Sequence, residues 1–329
     1  MPPLRLKWNL YCITASLLLF PTFLLAQSLD AAKHAAKVAI KAFAKDMVHR
    51  VENRPRNIAT LTDKRINESS GLACSWWNSG VLWTHNDSGD DAWLYAIDYT
   101  GRTLARFKVL NAVNVDWEDI AVGPGANGDS ALYISDLGDN NHNRDDIAIY
   151  GVSEPKVDVH KTMQESNTMP STAYPVRYPD GHHDSETILV HPKTGEIVVV
   201  TKEGNGHSGI YRYPLPLRPK EKVTLERVGD VAFHNTFLRG ESLYAKGERM
   251  TTGGSVRRDG LRAVVRTYTQ AYEWTLLPGQ SLVEALRGKP RQFLLPLTIQ
   301  GESICYRPNG KALLTTSERL PTALMEIPQ

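Results

Sequence analysis

A short polar phrase returns five times along this chain, and its spacing limits the fold more than any other feature. It opens as Glu68-Ser69-Ser70, Glu118-Asp119-Ile120, Glu186-Thr187-Ile188 and Glu302-Ser303-Ile304, with the variant Thr252-Gly253-Gly254 between the last two. Each copy then reaches a second polar stop: His85-Asn86-Asp87, Ser135-Asp136, Thr201-Lys202-Glu203, Arg266-Thr267-Tyr268 and Thr316-Ser317-Glu318. Repeats of this period are stacked supersecondary units, each burying its apolar faces against its neighbours.

Every copy reads as short β-runs with turn residues between them. The first gives runs at 71–75, 81–85, 94–98 and 103–109. Tight-turn signatures such as Tyr99-Thr100-Gly101, Lys193-Thr194-Gly195 and Pro308-Asn309-Gly310 separate such runs. The last copy has three runs, 304–307, 312–316 and 323–327, and a spare one at 57–61 precedes the first copy. The copies start at 68, 118, 186, 252 and 302. A blade takes about 40–50 residues, so the two longer steps hold one blade plus an insertion, at 156–170 and 234–251. The expectation is an all-β fold: a five-bladed β-propeller of four-stranded blades over 53–329, its ring closed by the N-terminal strand. Six blades are the alternative, if an insertion conceals a degenerate one.

The first 26 residues read as an export signal. Arg5 and Lys7 precede an uncharged apolar stretch from Leu10 to Leu25, and Ala26 supplies a small residue for cleavage. The alternative is an uncleaved membrane anchor. Removing this segment leaves 36 basic and 36 acidic residues from the full chain's 38 and 36. A balanced charge gives no electrostatic case for nucleic acid. Residues 27–52 read as a basic amphipathic helix, with Ala32, Ala36, Ile40, Phe43 and Met47 on one face and Lys33, Lys37, Lys41 and Lys45 on another. Membrane contact, if any, is expected through 1–51, and the mature protein is expected to be secreted or periplasmic and monomeric. Cys74 and Cys305 fall in the first and last copies, which a closed ring sets side by side; a disulfide or two buried thiols both suit them.

Several phrases read together as one pattern: Trp83-Thr84-His85-Asn86-Asp87-Ser88-Gly89-Asp90, Asp116-Trp117-Glu118-Asp119-Ile120-Ala121, Asp136-Leu137-Gly138-Asp139-Asn140, His183-Asp184-Ser185-Glu186 and Gln300-Gly301-Glu302-Ser303-Ile304. Across about 67–320 the chain resembles secreted bacterial β-propeller proteins. The resemblance implies an exported propeller and no particular reaction. Ser255 stands where that family leads one to expect an Asp.

In a propeller the inner strand leaves one face and the second strand returns to it. Both polar stops of every copy therefore converge on one mouth of the central channel. The residues expected to bind a ligand there are Glu68, Asp87, Asp119, Asp136, Lys202, Glu203, Arg266, Tyr268 and Glu318. Glu118, Glu186 and Glu302 come from different blades and are the candidate catalytic acids of a glycosidase-like hydrolase; a metal-assisted lactonase or phosphoesterase is a second enzymatic possibility. Glu118, Asp136, Glu186 and Glu302 are the candidate metal ligands, and an oxygen-rich ring suits Ca²⁺. No other cofactor is expected. The anticipated partner is a small molecule or carbohydrate, with Trp117 and Tyr268 placed to face it. A purely structural use of the acids, in a scaffold for protein contacts, is the third reading. His142, His182 and His183 lack zinc-ligand spacing.

Overall fold

The computed structural model describes residues 37, 41 and 54–329, except 126, 236, 239 and 241. The chain divides between Arg54 and Pro55 into two units, and the second carries everything below. The expected signal segment and nearly all of the expected amphipathic helix lie outside the described residues. Among the described residues no helix is long and apolar enough to cross a membrane.

Strand β1 (Arg56–Thr60) comes first, followed by blade one: β2 (Ser69–Cys74), β3 (Val81–Asn86), β4 (Trp93–Asp98) and β5 (Thr103–Lys108). Blade two begins with β6 (Trp117–Pro124), β7 (Ser130–Asp136) and β8 (Ala148–Ser153); after an excursion through β9 (Gln164–Asn167) it gains β10 (Thr172–Arg177). Blade three has β11 (Ser185–Val190), β12 (Ile197–Thr201) and β13 (His207–Arg212), and after the short β14 (Val223–Thr224) it gains β15 (Glu226–Ala232). A one-turn helix, α1 (Leu243–Gly247), leads to blade four: β16 (Thr251–Val256), β17 (Arg262–Thr267), β18 (Gln270–Thr275), helix α2 (Leu282–Leu286) and β19 (Arg291–Leu294). Blade five is β20 (Cys305–Tyr306), β21 (Ala312–Thr315), β22 (Ala323–Pro328) and β1, which pairs antiparallel with β22. The molecule is a five-bladed β-propeller.

Burial falls from channel to rim. Strands β2, β3, β7, β11 and β12 are buried at every position, whereas β1, β15 and β19 are largely exposed. A strand covered on both faces reads as a continuous apolar run, as Ile197-Val198-Val199-Val200 does. The core consists of five apolar clusters, and each fills the space between two adjacent blades. Trp83, Phe107, Trp117 and Leu132 join blades one and two; Tyr133, Ile149, Ile188 and Tyr211 join two and three. Val198, Val200, Val265 and Trp274 join three and four; Val264, Ile304 and Leu313 join four and five; Leu72, Leu82, Tyr95 and Leu314 join five and one. Trp117 is a packing residue of this core, not the ligand platform expected: it is fully buried and its indole N–H donates to Val113 O at 3.0 Å.

Two sheets exceed the expected four strands. β9, inside the first insertion, runs parallel to β5 and widens blade one; β14 runs parallel to β10 and widens blade two. Cys74 and Cys305 are free buried thiols, with their sulfurs 3.7 Å apart between the first and last blades.

Candidate functional site

Four of the five inner strands open with a β-bulge. Pairing to the second strand skips one residue at Ser70, Glu118, Glu186 and Thr252. In blade five Gly301 faces Ser317 and Cys305 faces Leu314, so that segment also holds one residue too many, and Glu302 N donates to Thr316 O at 3.3 Å. A bulge sets two residues against one, bends the strand and re-aims the extra side chain. The equivalent positions are therefore Ser70, Glu118, Glu186, Thr252 and Glu302.

This register shifts the first copy of the repeat by two residues. Glu68 stands ahead of its bulge, at the position filled by Asp116, Asp184, Met250 and Gln300 in the other blades. The same backbone bond marks the position in three blades: Asp87 N to Glu68 O at 3.1 Å, Lys202 N to Asp184 O at 2.9 Å and Glu318 N to Gln300 O at 3.0 Å. A third ring, at the ends of the second strands, holds Asp87, Leu137, Lys202, Tyr268 and Glu318. Eight of these fifteen positions are carboxylates and one, Lys202, is a cation.

The bulge residues divide into two kinds. Ser70 Oγ donates to Glu118 O of the next blade at 2.7 Å, and Thr252 Oγ1 donates to Gly301 O of the next blade at 3.0 Å. These two are latches between neighbouring inner strands. Glu118, Glu186 and Glu302 are buried as well, yet they project into the mouth. One residue further along each strand comes the channel wall, with Gly71, Asp119, Thr187, Gly253 and Ser303. Four small side chains leave room for one carboxylate to cross the channel; a Cβ on Gly71 would run into the His85 ring and the backbone of Ile120. Asp119 Oδ1 accepts from Ile120 N at 2.8 Å, and Oδ2 accepts from Ile188 N at 3.1 Å and Gly254 N at 3.0 Å. It ties the inner strands of blades two, three and four. Burial pushes its carboxyl well above the usual range, and these three N–H groups act in the opposite direction.

The mouth itself is crowded with acids. Oxygens of Glu118, Asp184 and Glu186 all lie within 4.8 Å of one another, and so do those of Asp87, Asp116 and Glu118. Burial, then Glu186 and Asp87, raise Glu118 well above an ordinary carboxyl. Burial likewise raises Glu186, although Lys202 opposes it. Asp116 is pushed up to about 6 by burial and by Asp87 and Asp184. Lys202 forms an ion pair with Glu186 and stands 5.8 Å from the Tyr268 ring centroid. Burial alone would lower this ammonium, but Glu186, Tyr268, Glu302 and Glu118 outweigh that and raise it. No described residue donates a hydrogen bond to the Glu118 carboxylate, although Glu118 is only 3% exposed. Glu302 Oε2 is buried without a partner too. A donor set made wholly of carboxylate oxygens is the set that a hard cation such as Ca²⁺ takes.

The remaining residues proposed from sequence fall in other surroundings. Asp136 is held by Arg144 at 3.0 Å and accepts from Asp116 N at 3.0 Å; burial takes it up to about 6. Arg266 is 1% exposed, and its guanidinium bonds Ser303 O at 3.0 Å, Thr267 O at 3.2 Å, Tyr268 O at 3.3 Å and the Thr315 hydroxyl, which braces blade four against blade five. Burial lowers it to about 10. Glu203 faces His183 Nδ1 at 3.4 Å, and His183 also meets Asp180 at 3.2 Å. Glu318 accepts from Gln300 Nε2 at 2.6 Å; burial and then Glu302 raise it to about 8. Tyr268 is largely buried among Glu302, Glu186 and Lys202. Asp116 and Asp184 were absent from the residues proposed for the site. Their signal is the Asp-x-Glu written twice, in Asp116-Trp117-Glu118 and Asp184-Ser185-Glu186.

No family model matches this chain, and no curated protein matches it significantly.

Proposed function

We propose that this is an exported binding propeller whose mouth takes a divalent cation of the Ca²⁺ type among Glu118, Asp184 and Glu186 and, through it, a small oxygen-rich ligand such as a carbohydrate. The observation that carries this reading is Glu118, a carboxylate nine-tenths buried, beside four other acids and without a hydrogen-bond donor among the described residues. Structural acids look different: Asp119 has three N–H donors and Asp136 has an arginine. Lys202 lies near enough to act on Glu118 but is spent on Glu186, and a cation would give Glu118 a direct partner of its own. Export rests on residues 1–26 and on the resemblance described above. We also assign β1 the role of closing strand: it pairs with the last strand, and Leu61 N donates to Thr322 O at 2.8 Å.

Calorimetric titration of chelator-treated protein with Ca²⁺ tests the reading. Saturable binding that Glu118→Gln weakens at least tenfold, with a melting temperature raised by Ca²⁺ and restored by EDTA, is the expected result. A parent protein that neither binds Ca²⁺ nor melts differently with it would sink the proposal.

A further inference from the structure

Glu118 belongs to two carboxylate groups at once. One is Glu118, Asp184 and Glu186; the other is Asp87, Asp116 and Glu118. We infer that the mouth is a centre for two adjacent divalent cations, with Glu118 bridging them. The inference rests on the cation-binding reading above and extends it.

Geometry supplies the first support. Oxygens that share one ion at about 2.4 Å lie no more than about 4.8 Å apart, and each triad meets that limit on its own. Both triads need Glu118, which has two oxygens and spends neither on a hydrogen bond from any described residue. Bridged pairs of divalent ions lie about 3.5–4 Å apart, a separation that the two oxygens of one carboxylate span. The two triads come from three consecutive blades. Asp87 directly follows the second strand of blade one, Asp116 directly precedes the first strand of blade two, which carries Glu118, and Asp184 directly precedes the first strand of blade three, which carries Glu186. The bulges at Glu118 and Glu186 turn both glutamates toward the same opening.

Charge supplies the second support. Five carboxylates and the Lys202 ammonium leave four negative charges when ionised. One divalent cation cancels half of them and two cancel all. Glu302, 2% exposed and with Oε2 unpartnered, adds further negative charge that acts on Glu186 and Lys202, and Lys202 and Arg266 oppose it only in part. Asp87 and Asp116, the two acids particular to the second triad, are part-buried, whereas Glu118, Asp184 and Glu186 are all buried. The inner position is therefore the one to fill first, and the outer position is open to solvent and to whatever ligand the pair holds.

Mn²⁺ binding to the full chain, followed by equilibrium dialysis and electron paramagnetic resonance, tests this. Two ions per chain at saturation are expected, with a spectrum broadened by spin coupling between them. Asp87→Asn with Asp116→Asn should halve the stoichiometry and restore the isolated-ion hyperfine pattern. Glu118→Gln should abolish the coupling. Thermal melts of the metal-free variants establish that each is folded, and Asp87→Asn alone serves if the double variant is not. One ion per chain, or two without coupling, overturns the bridged pair and leaves a single cation site standing. No bound Mn²⁺ and no bound Ca²⁺ overturns both readings.

Discussion

Glu118 and Asp119 are neighbours in the chain, but the channel wall and the channel mouth treat their carboxylates in opposite ways. Asp119 crosses the channel into three backbone N–H groups from three blades. Glu118, re-aimed by its bulge, meets Asp87, Asp116, Asp184 and Glu186. Burial is nearly complete for both, so burial does not distinguish a latch from a site. The distinction lies in what surrounds the charge: donors in one case, more charge of the same sign in the other. A buried acid with its donors is part of the ring's framework. One without them is a cost that the fold carries for another purpose.

The largest test of this contrast is Asp119→Ala. It leaves Ile188 N and Gly254 N without acceptors and should cost about 3 kcal/mol or more in a urea titration. A loss under about 1 kcal/mol would mean the wall does not depend on this carboxylate. Glu118→Gln should behave in the opposite way. Without cation it should gain about 1 kcal/mol, read as a melting point about 2 °C higher, because a crowded charge has gone; with Ca²⁺ it should fail to gain the parent's further rise.

The pH dependence sharpens the contrast further. In the unfolded chain Asp and Glu titrate near 3.8 and 4.5, whereas Asp116 and Asp136 are raised to about 6 and Glu318 to about 8. Between those values the folded protein holds protons that the unfolded chain has released, so stability falls as pH rises. Cation-free protein should therefore melt at a higher temperature at pH near 5 than near 8, as followed by circular dichroism. Added Ca²⁺ competes with the protons of Glu118, Asp184 and Glu186, which are raised as well, and should raise the melting point more at the higher pH. A melting point that climbs with pH in the absence of cation would contradict the raised acids. The smallest effect belongs to the latching bulges: Ser70→Ala and Thr252→Ala should each cost about 1 kcal/mol and leave Ca²⁺ affinity unchanged. A loss of affinity would place these hydroxyls in the site.

The number of blades was legible in the sequence because copy spacing and turn residues are local. The register within each copy was not. Glu68 and Glu118 introduce the same phrase, but which inner-strand residue is left unpaired depends on the residues it faces, and these lie some fifteen residues away on another strand. The two-residue shift turned Glu68 into a counterpart of Asp116 and gave the bulge position to Ser70. The convergence of Glu118 and Glu186 could be reasoned from strand direction; the contribution of Asp116 and Asp184 was also legible, since in Asp-x-Glu the two acids fall on the same side of an extended strand, but it went unread. Arg266 was expected in the ring of Lys202, but Tyr268 holds that position; Arg266 lies two residues earlier, opposite Gly253, and its guanidinium turns to Ser303 O of the next blade and Tyr268 O of its own, a choice that nothing local in the sequence marks.

The two added strands were illegible for a different reason. Gln164-Glu165-Ser166-Asn167 is polar and mostly exposed and has no apolar alternation, because β9 meets β5 through backbone bonds and polar side chains such as the Arg106–Glu165 ion pair, with no apolar face to bury. Its position still matters for how copies of this protein meet. Without it, β5 would present Thr103-Leu104-Ala105-Arg106-Phe107-Lys108 as the outermost edge of blade one, a long apolar-rich template for another sheet to join. β9 replaces that edge with four hydrophilic residues, and the two-residue β14 caps blade two in the same way. β9 and β14 thus act as guards against edge-to-edge aggregation at the rim of the two blades that, with blade three, supply the two carboxylate triads.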